Sequence, residues 1–396
     1  MNIGSKLSKT NLVYFDNSAT SFPKPPAVVD AVVEYMTQAG GNPGRSGHRL
    51  AEEAGEIVFL ARKALASFFG IKNPMNVVFG PNATDAVNTA LKGILNKGDH
   101  VITTHLEHNC VMRPLNRLSG DGIIDISVAD GDEIGIVSAN EIGSLLKPST
   151  KVVVINHVSN VTGVIQPVRE IGKMCRSKGV ILIVDGAQSG GIVPVNIADD
   201  FIDIFAFTGH KALYGPTGTG GMIISDDFDH KILRTLKEGG TGSISDKIEQ
   251  PDFLPDKLES GTMNVAGIAG LLKGIEFINS LPEGVNSALS HKLTLQKYFI
   301  EKASKKVEGF KSYSQTGSPG ITSFRMEGFT ASDITQQLSD RFNIMSRQGL
   351  HCAPSAHQKI GTYPEGTVRF SFSVFSTIAE IDYAIEALKK IRNRNA

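Results

Sequence analysis

The sequence has no tryptophan, only three cysteines among 396 residues, no excess of either charge and no long apolar run. Forty basic residues balance forty acidic ones, so no basic stripe invites nucleic acid. No apolar stretch approaches the roughly twenty residues of a membrane span. The segment Met1–Thr10 lacks the apolar core of an export signal. Together these absences fit a cytoplasmic protein with no membrane association. Cys110, Cys175 and Cys352 are too widely separated for a disulfide framework or a metal-ligand spacing, and no metal is expected. What is present is a 41% hydrophobic share in a chain too long for one ordinary core, which favours two packed lobes.

The chain is organised around Lys211. An apolar strand, Ile204–Phe207, breaks into Thr208-Gly-His-Lys211, where an amine can be kept neutral and nucleophilic. Upstream, the apolar run Val180–Val184 ends in Asp185-Gly-Ala-Gln188. A surface-loop lysine and a turn-forming aspartate would be the plain reading of each alone. In this order at two strand ends they suit a pyridoxal phosphate site, the lysine joined to the cofactor and the carboxylate pairing with its ring nitrogen.

Periodicity places the remaining elements. Strands are expected at 13–15, 76–79, 100–104, 123–128, 151–157 and 219–225, and helices at 26–39, 49–69, 85–95, 139–146 and 168–177. The first helix carries an apolar face of Val28, Val29, Val32, Val33 and Met36. A further helix is expected after Ser225. The alternation through Phe207 specifies a mainly parallel sheet with its ligand at the carboxyl ends of the strands. At Gly80-Pro-Asn-Ala-Thr84 a strand passes into a helix N-terminus, which suits a phosphate; an ordinary helix capped by Thr84 fits equally well. Cys110 reads as a small buried residue opening a helix, and Cys175 as structural. Beyond residue 264, helices at 285–307, 332–342 and 378–391 with strands at 321–326 and 368–372 form a smaller α/β lobe. The expected division is a large domain over 26–264 and a small one over 1–25 and 265–396.

Val184-Asp-Gly-Ala-Gln188 followed by Phe207-Thr-Gly-His-Lys211, with Tyr14-Phe-Asp-Asn-Ser-Ala-Thr20 near the start, resembles the class V aminotransferase superfamily and, within it, the selenocysteine lyase-like group of cysteine desulfurases. The resemblance covers nearly the whole chain. It implies the fold type I pyridoxal phosphate-dependent architecture, with pyridoxal 5'-phosphate held by Ala83 through its N–H, by Thr84, and by Gln188, Thr208 and His210 at the phosphate and ring oxygen. It places His108 against the cofactor ring, Asn160 on its phenolic oxygen and His48 near the substrate. It implies that Thr262 reaches the phosphate of a neighbouring subunit, hence a homodimer with shared sites. Relatives commonly carry a second hydroxyl residue where this chain has Ala83, so one side-chain contact is lost.

The chemistry rests on Arg347-Gln-Gly-Leu-His-Cys-Ala-Pro354. Glycine and proline put Cys352 on an irregular loop, where a cysteine near histidine can be reactive. A packing cysteine would suit Leu350 but not those neighbours. The pattern resembles the persulfide-forming loop of these desulfurases, while 357–366 differs from better-known members. Arg369 resembles the arginine that grips the substrate carboxylate, a task suited to a guanidinium fork. Arg347 is placed near the loop and substrate. The expected activity is conversion of L-cysteine to L-alanine, with sulfur passed through a Cys352 persulfide to an acceptor protein or thiol for iron–sulfur cluster assembly or related synthesis. L-selenocysteine as substrate, another class V aminotransferase or lyase reaction, and a catalytically silent scaffold are the competing readings.

Overall fold

The computed structural model describes residues 12–44, 47–244 and 246–393; the expectation for Met1–Thr10 lies outside them. Seven strands form the central sheet in the spatial order Val77–Gly80, Gly220–Ile224, Ile204–Thr208, Ile181–Asp185, Thr150–Asn156, Asp99–Thr104 and Ile124–Ala129. Six run in one direction; Gly220–Ile224 is antiparallel to both neighbours.

The strands are apolar on both faces because helices cover both. Val153, Ile155, Leu182, Val184, Phe205 and Phe207 enter one core, with the helices Arg49–Phe69, Val168–Lys178 and Val265–Asn279. The alternate residues Val152, Val154, Ile183, Ile204 and Ala206 enter the other, with Ala83–Ile94 and Asn109–Gly120. This two-sided burial explains the continuous runs of branched residues.

A second, four-stranded antiparallel sheet has the order Arg347–Gly349, Thr367–Ser371, Ile321–Met326, Phe310–Ser312. Its core contains Phe324, Phe370, Phe372 and Leu388, and it takes in Val13 and Phe15 from the start of the chain. The strand Val13–Tyr14 pairs with Ile344–Met345, so the N-terminal segment belongs to the C-terminal packing.

Several expectations need correction. The helix that sequence places after Ser225 is only a single 3-10 turn, His230–Ile232. The segment is tied elsewhere instead: Asp226 accepts from the Lys72 and Asn73 N–H groups, and Arg234 N–H donates to Gly93 O. The helix at 85–95 begins two residues earlier, at Ala83, and is capped by the Asn82 carboxamide rather than by Thr84. Asn82 holds extended backbone and its Oδ1 accepts from Asp85 N–H at 3.0 Å, the geometry of a preferred cap. Of the apolar face on Pro26–Glu34 and its continuation, Val28 is buried, but Val29, Val33 and Met36 are 51%, 54% and 71% exposed. The strand at Arg347–Gly349 and the helix Pro354–Lys359 were not anticipated.

Arg62 and Glu259 form a buried ion pair, and Glu259 also accepts from the Phe79 N–H, so one carboxylate ties a helix, a sheet strand and the 259–264 segment together. Glu259→Ala leaves Arg62 buried without its partner and should cost about 3–5 kcal/mol. The check is the urea midpoint; a midpoint unchanged from wild type would show that the pair is dispensable.

Candidate active site

Five parallel-running strands deliver their C-terminal residues to one edge, and the cleft there has about 910 Å³ of space including its open mouth. Asn82, Ala83 and Thr84 arrive from Val77–Gly80, His108 and Cys110 from Asp99–Thr104, and Asn156 and Asn160 from Thr150–Asn156. Asp185 and Gln188 follow Ile181–Asp185; Thr208, His210 and Lys211 follow Ile204–Thr208. The second sheet contributes Arg347 and Arg369 to the same wall, and the turn after Arg347–Gly349 contributes His351.

Close approach is built into the backbone. A side chain at Gly220 would begin 2.6 Å from Asn82 Cα and 2.7 Å from Phe207 O, so only glycine lets the helix N-terminus sit against the strand leading to Lys211. The turn of Asp16–Thr20 closes the other side: Thr20 Oγ1 donates to His210 O, Ser21 Oγ to Lys211 O at 2.7 Å, and Gln188 Nε2 to Ser18 O at 3.0 Å.

Electrostatics in the cleft are set by burial. Lys211 is half-buried, and desolvation lowers its amine pKa against the opposing pull of Asp185. Asp185 is 4% exposed, with Oδ1 accepting from Ala187 N–H at 2.9 Å. Desolvation pushes His108 and His210 down to about 4, so both rings are neutral at working pH. His108 Nδ1 accepts from Cys110 N–H at 3.1 Å, which caps the helix Asn109–Gly120 and puts the ring proton on Nε2.

Arg347 and Arg369 are direct cross-strand partners, an arrangement that like charges ordinarily avoid. Arg369, 1% exposed, donates from Nη2 to Asp16 Oδ1 at 2.9 Å and from Nη1 to Asn160 O at 3.0 Å. Its buried Nε has no hydrogen-bond partner among the described residues. Cys352 is exposed, and its Sγ is 3.5 Å from Arg347 Nη2. The cation beside the sulfur is therefore Arg347. His351 is buried and desolvation keeps its ring neutral. His351 and Cys352 hold left-handed backbone, with φ of 49° and 59°. Three hydrogen bonds maintain it: Asn160 Nδ2 to His351 O at 2.7 Å, Asn109 N–H to Cys352 O at 2.8 Å and Ala353 N–H to Leu350 O at 2.8 Å.

Of the residues proposed from sequence, the cleft gathers Ala83, Thr84, His108, Asn160, Asp185, Gln188, Thr208, His210, Lys211, Arg347 and Arg369. His48 is exposed, caps Arg49–Phe69 through Nδ1 and does not line the cleft. Thr262 lines a separate depression with Gly80, Pro81 and Lys237. Sequence reasoning gave no site role to Asp16, Ser18, Asn156 or Cys110, although Cys110 is, as read from sequence, a small buried residue at the start of a helix; only the first two carried a local signal, as part of a polar turn.

The residues fit an anionic, nitrogen-containing ring cofactor. Ala83 and Thr84 open a helix whose first N–H groups have no intrahelical acceptor. Buried Thr208 Oγ1, His210 Nδ1 and Asn160 Oδ1 have no hydrogen-bond partner among the described residues.

The chain belongs to the class-V aminotransferase family, whose model matches residues 13–384. Members of this family are pyridoxal 5'-phosphate enzymes. More particularly, it is similar to cysteine desulfurases. A probable cysteine desulfurase of Methanothermobacter thermautotrophicus is 32% identical over 386 residues, covering 96% of this chain and 94% of that protein. The cysteine desulfurase of Haloferax volcanii is 30% identical over 394 residues, 97% of this chain and 90% of its own length. Among solved structures, the apo cysteine desulfurase of Thermococcus onnurineus superposes with a TM-score of 0.88 at 30% identity, covering 97% of this chain and 95% of that one.

The buried histidines give a pH prediction. Desolvation lowers His100, His108, His157, His210, His351 and His357, four of them to about 4. Between 6.5 and about 4 the unfolded chain binds these protons and the folded chain does not, so stability rises with pH across that window. Burial raises Glu107, Asp203 and Glu259, which act in the opposite sense but are outnumbered. Melting temperature should fall as pH drops from 6.5 toward 4; a flat profile would contradict the neutral burial of these rings.

Proposed function

We propose that the protein is a pyridoxal 5'-phosphate-dependent cysteine desulfurase that converts L-cysteine to L-alanine and carries the sulfur as a persulfide on Cys352 to an acceptor protein or thiol. The observation that carries this reading is the meeting of two centres. A desolvated lysine–aspartate pair lies in the cleft, and an exposed cysteine beside Arg347 follows directly on its wall residue His351.

Ala83, Thr84, Thr208 and His210 would hold the cofactor's phosphate, Gln188 and Asn160 its ring oxygen, Asp185 its ring nitrogen, and His108 its ring face. When bound, the cofactor supplies an electron sink that makes the substrate α-proton removable. Lys211 would hold the cofactor and take up the substrate α-proton, a role its lowered amine pKa suits, and would return that proton to Cα as alanine forms. Arg369 has its unpaired Nε, and the charge it shares with Arg347, available to the substrate carboxylate. The Cys352 thiolate attacks the substrate sulfur, with Arg347 stabilising negative charge on it. One S–S bond forms and the Cβ–S bond breaks, with its electron pair staying on carbon. A proton completes the methyl group of alanine, so the substrate carbon is reduced and the Cys352 sulfur oxidised to the persulfide level.

The exposed Val29, Val33 and Met36 face supports a homodimer, in which Thr262 and His48 would serve a neighbouring copy's site. The two-domain division is supported by separate apolar cores, although Val265–Asn279 packs with the large one. We place the activity in the cytoplasm, supplying sulfur for iron–sulfur cluster assembly.

The test is alanine release from L-cysteine in the presence of a reductant. The yellow wild type should produce alanine and Cys352→Ala almost none, while keeping its cofactor. Equal release by both would remove the desulfurase reading. Arg369→Lys, which loses the fork, should raise KM roughly 10- to 100-fold; an unchanged KM would show that the carboxylate binds elsewhere.

A further inference from the structure

Cys352 has a role in the proposed reaction and Cys175 is sealed in the core, which leaves Cys110. It is 5% exposed, lines the cleft and stands in the first turn of Asn109–Gly120, the helix capped by His108. Its Sγ lies 3.1 Å from Asp185 Oδ2, the distance of a hydrogen bond from a thiol to a carboxylate.

The direction of that bond is fixed. Burial, reinforced by the Asp185 charge, pushes the Cys110 thiol well above its ordinary pKa, so the sulfur keeps its proton and donates. Asp185 is then held at both oxygens from different parts of the chain. Oδ1 takes the Ala187 N–H of its own turn, and Oδ2 takes a thiol 75 positions earlier in sequence. The torsion that rotates a carboxylate is broad in aspartate, so a donor on each oxygen restricts a rotation that the side chain alone would allow. Each oxygen keeps a further acceptor site for a cofactor.

We propose that Cys110 is a positioning residue for Asp185, its S–H fixing the orientation in which the carboxylate meets the cofactor's ring nitrogen. This rests on the reading of the cleft as the pyridoxal phosphate site. A carboxylate restrained in this way presents its free lone pairs without a reorientation cost when the cofactor arrives. The same helix turn supplies His108 to the ring face, so one element sets two contacts to the cofactor.

The test compares holoenzymes of wild type, Cys110→Ala and Cys110→Ser. Alanine removes the donor, and the absorbance maximum of the bound cofactor should shift while its affinity weakens roughly three- to tenfold. Serine places a hydroxyl donor at the same point and should restore both. A purely structural role for Cys110 would lower stability in Cys110→Ala without moving the absorbance. Should Cys110→Ala not fold, the infrared S–H band in the difference between wild type and Cys110→Ser decides the point. It should lie at lower frequency than a free thiol and move up in Asp185→Asn. Wild-type absorbance and affinity in Cys110→Ala, or a free-thiol band, would overturn the proposal. A wild type that never binds pyridoxal phosphate would sink the cleft assignment instead, with the infrared band still deciding the Cys110–Asp185 bond.

Discussion

Desolvation of Lys211, opposed chiefly by one carboxylate, Asp185, is the interaction on which the rest of the site depends. An ammonium in water has little use as a base or nucleophile near neutral pH; removing its water is what changes that. The fold does so by converging five strand ends and the Asp16–Thr20 turn on one cleft, so that Lys211 lies among residues from distant parts of the chain. Asp185 is itself restrained at both oxygens, which keeps the balancing charge in one place.

The second sheet supplies what the first lacks. Register sets Arg347 directly opposite Arg369, concentrating positive charge at the cleft wall, and Asp16 neutralises one of the two. A repulsive cross-strand pair is a poor device for stability and a good one for capturing an anion. The same strands launch the loop that carries Cys352. Its two successive left-handed residues lack glycine's freedom and are kept in place by Asn160, Asn109 and Leu350. Asn160 meets both parts: its carbonyl accepts from Arg369 and its amide holds the residue before the cysteine.

Much of this was legible in the chain because strand exits are local. The turns after Val184 and Phe207, the apolar runs and the glycine-flanked cysteine all lie within a few residues of the features they announce. What was not legible is set by distance. Nothing near Asp16 points to Arg369, 353 positions away, nor does local pattern reveal that Cys110 faces Asp185. The 226–234 stretch reads as a helix until Asp226 is drawn to Lys72 and Asn73. Thr84 looks like a cap as good as Asn82, and only the extended backbone at Asn82 separates them. Periodicity marks an apolar stripe on Pro26–Glu34 and its continuation but does not say how much of it is buried: Val28 is, whereas Val29, Val33 and Met36 are exposed.

The most direct test of the account is the mass of the Cys352 peptide after the holoenzyme meets L-cysteine without reductant. The account predicts one added sulfur atom on Cys352, removable by a thiol and absent when Lys211 is replaced by alanine. Sulfur that never appears on Cys352 while alanine is released would contradict it.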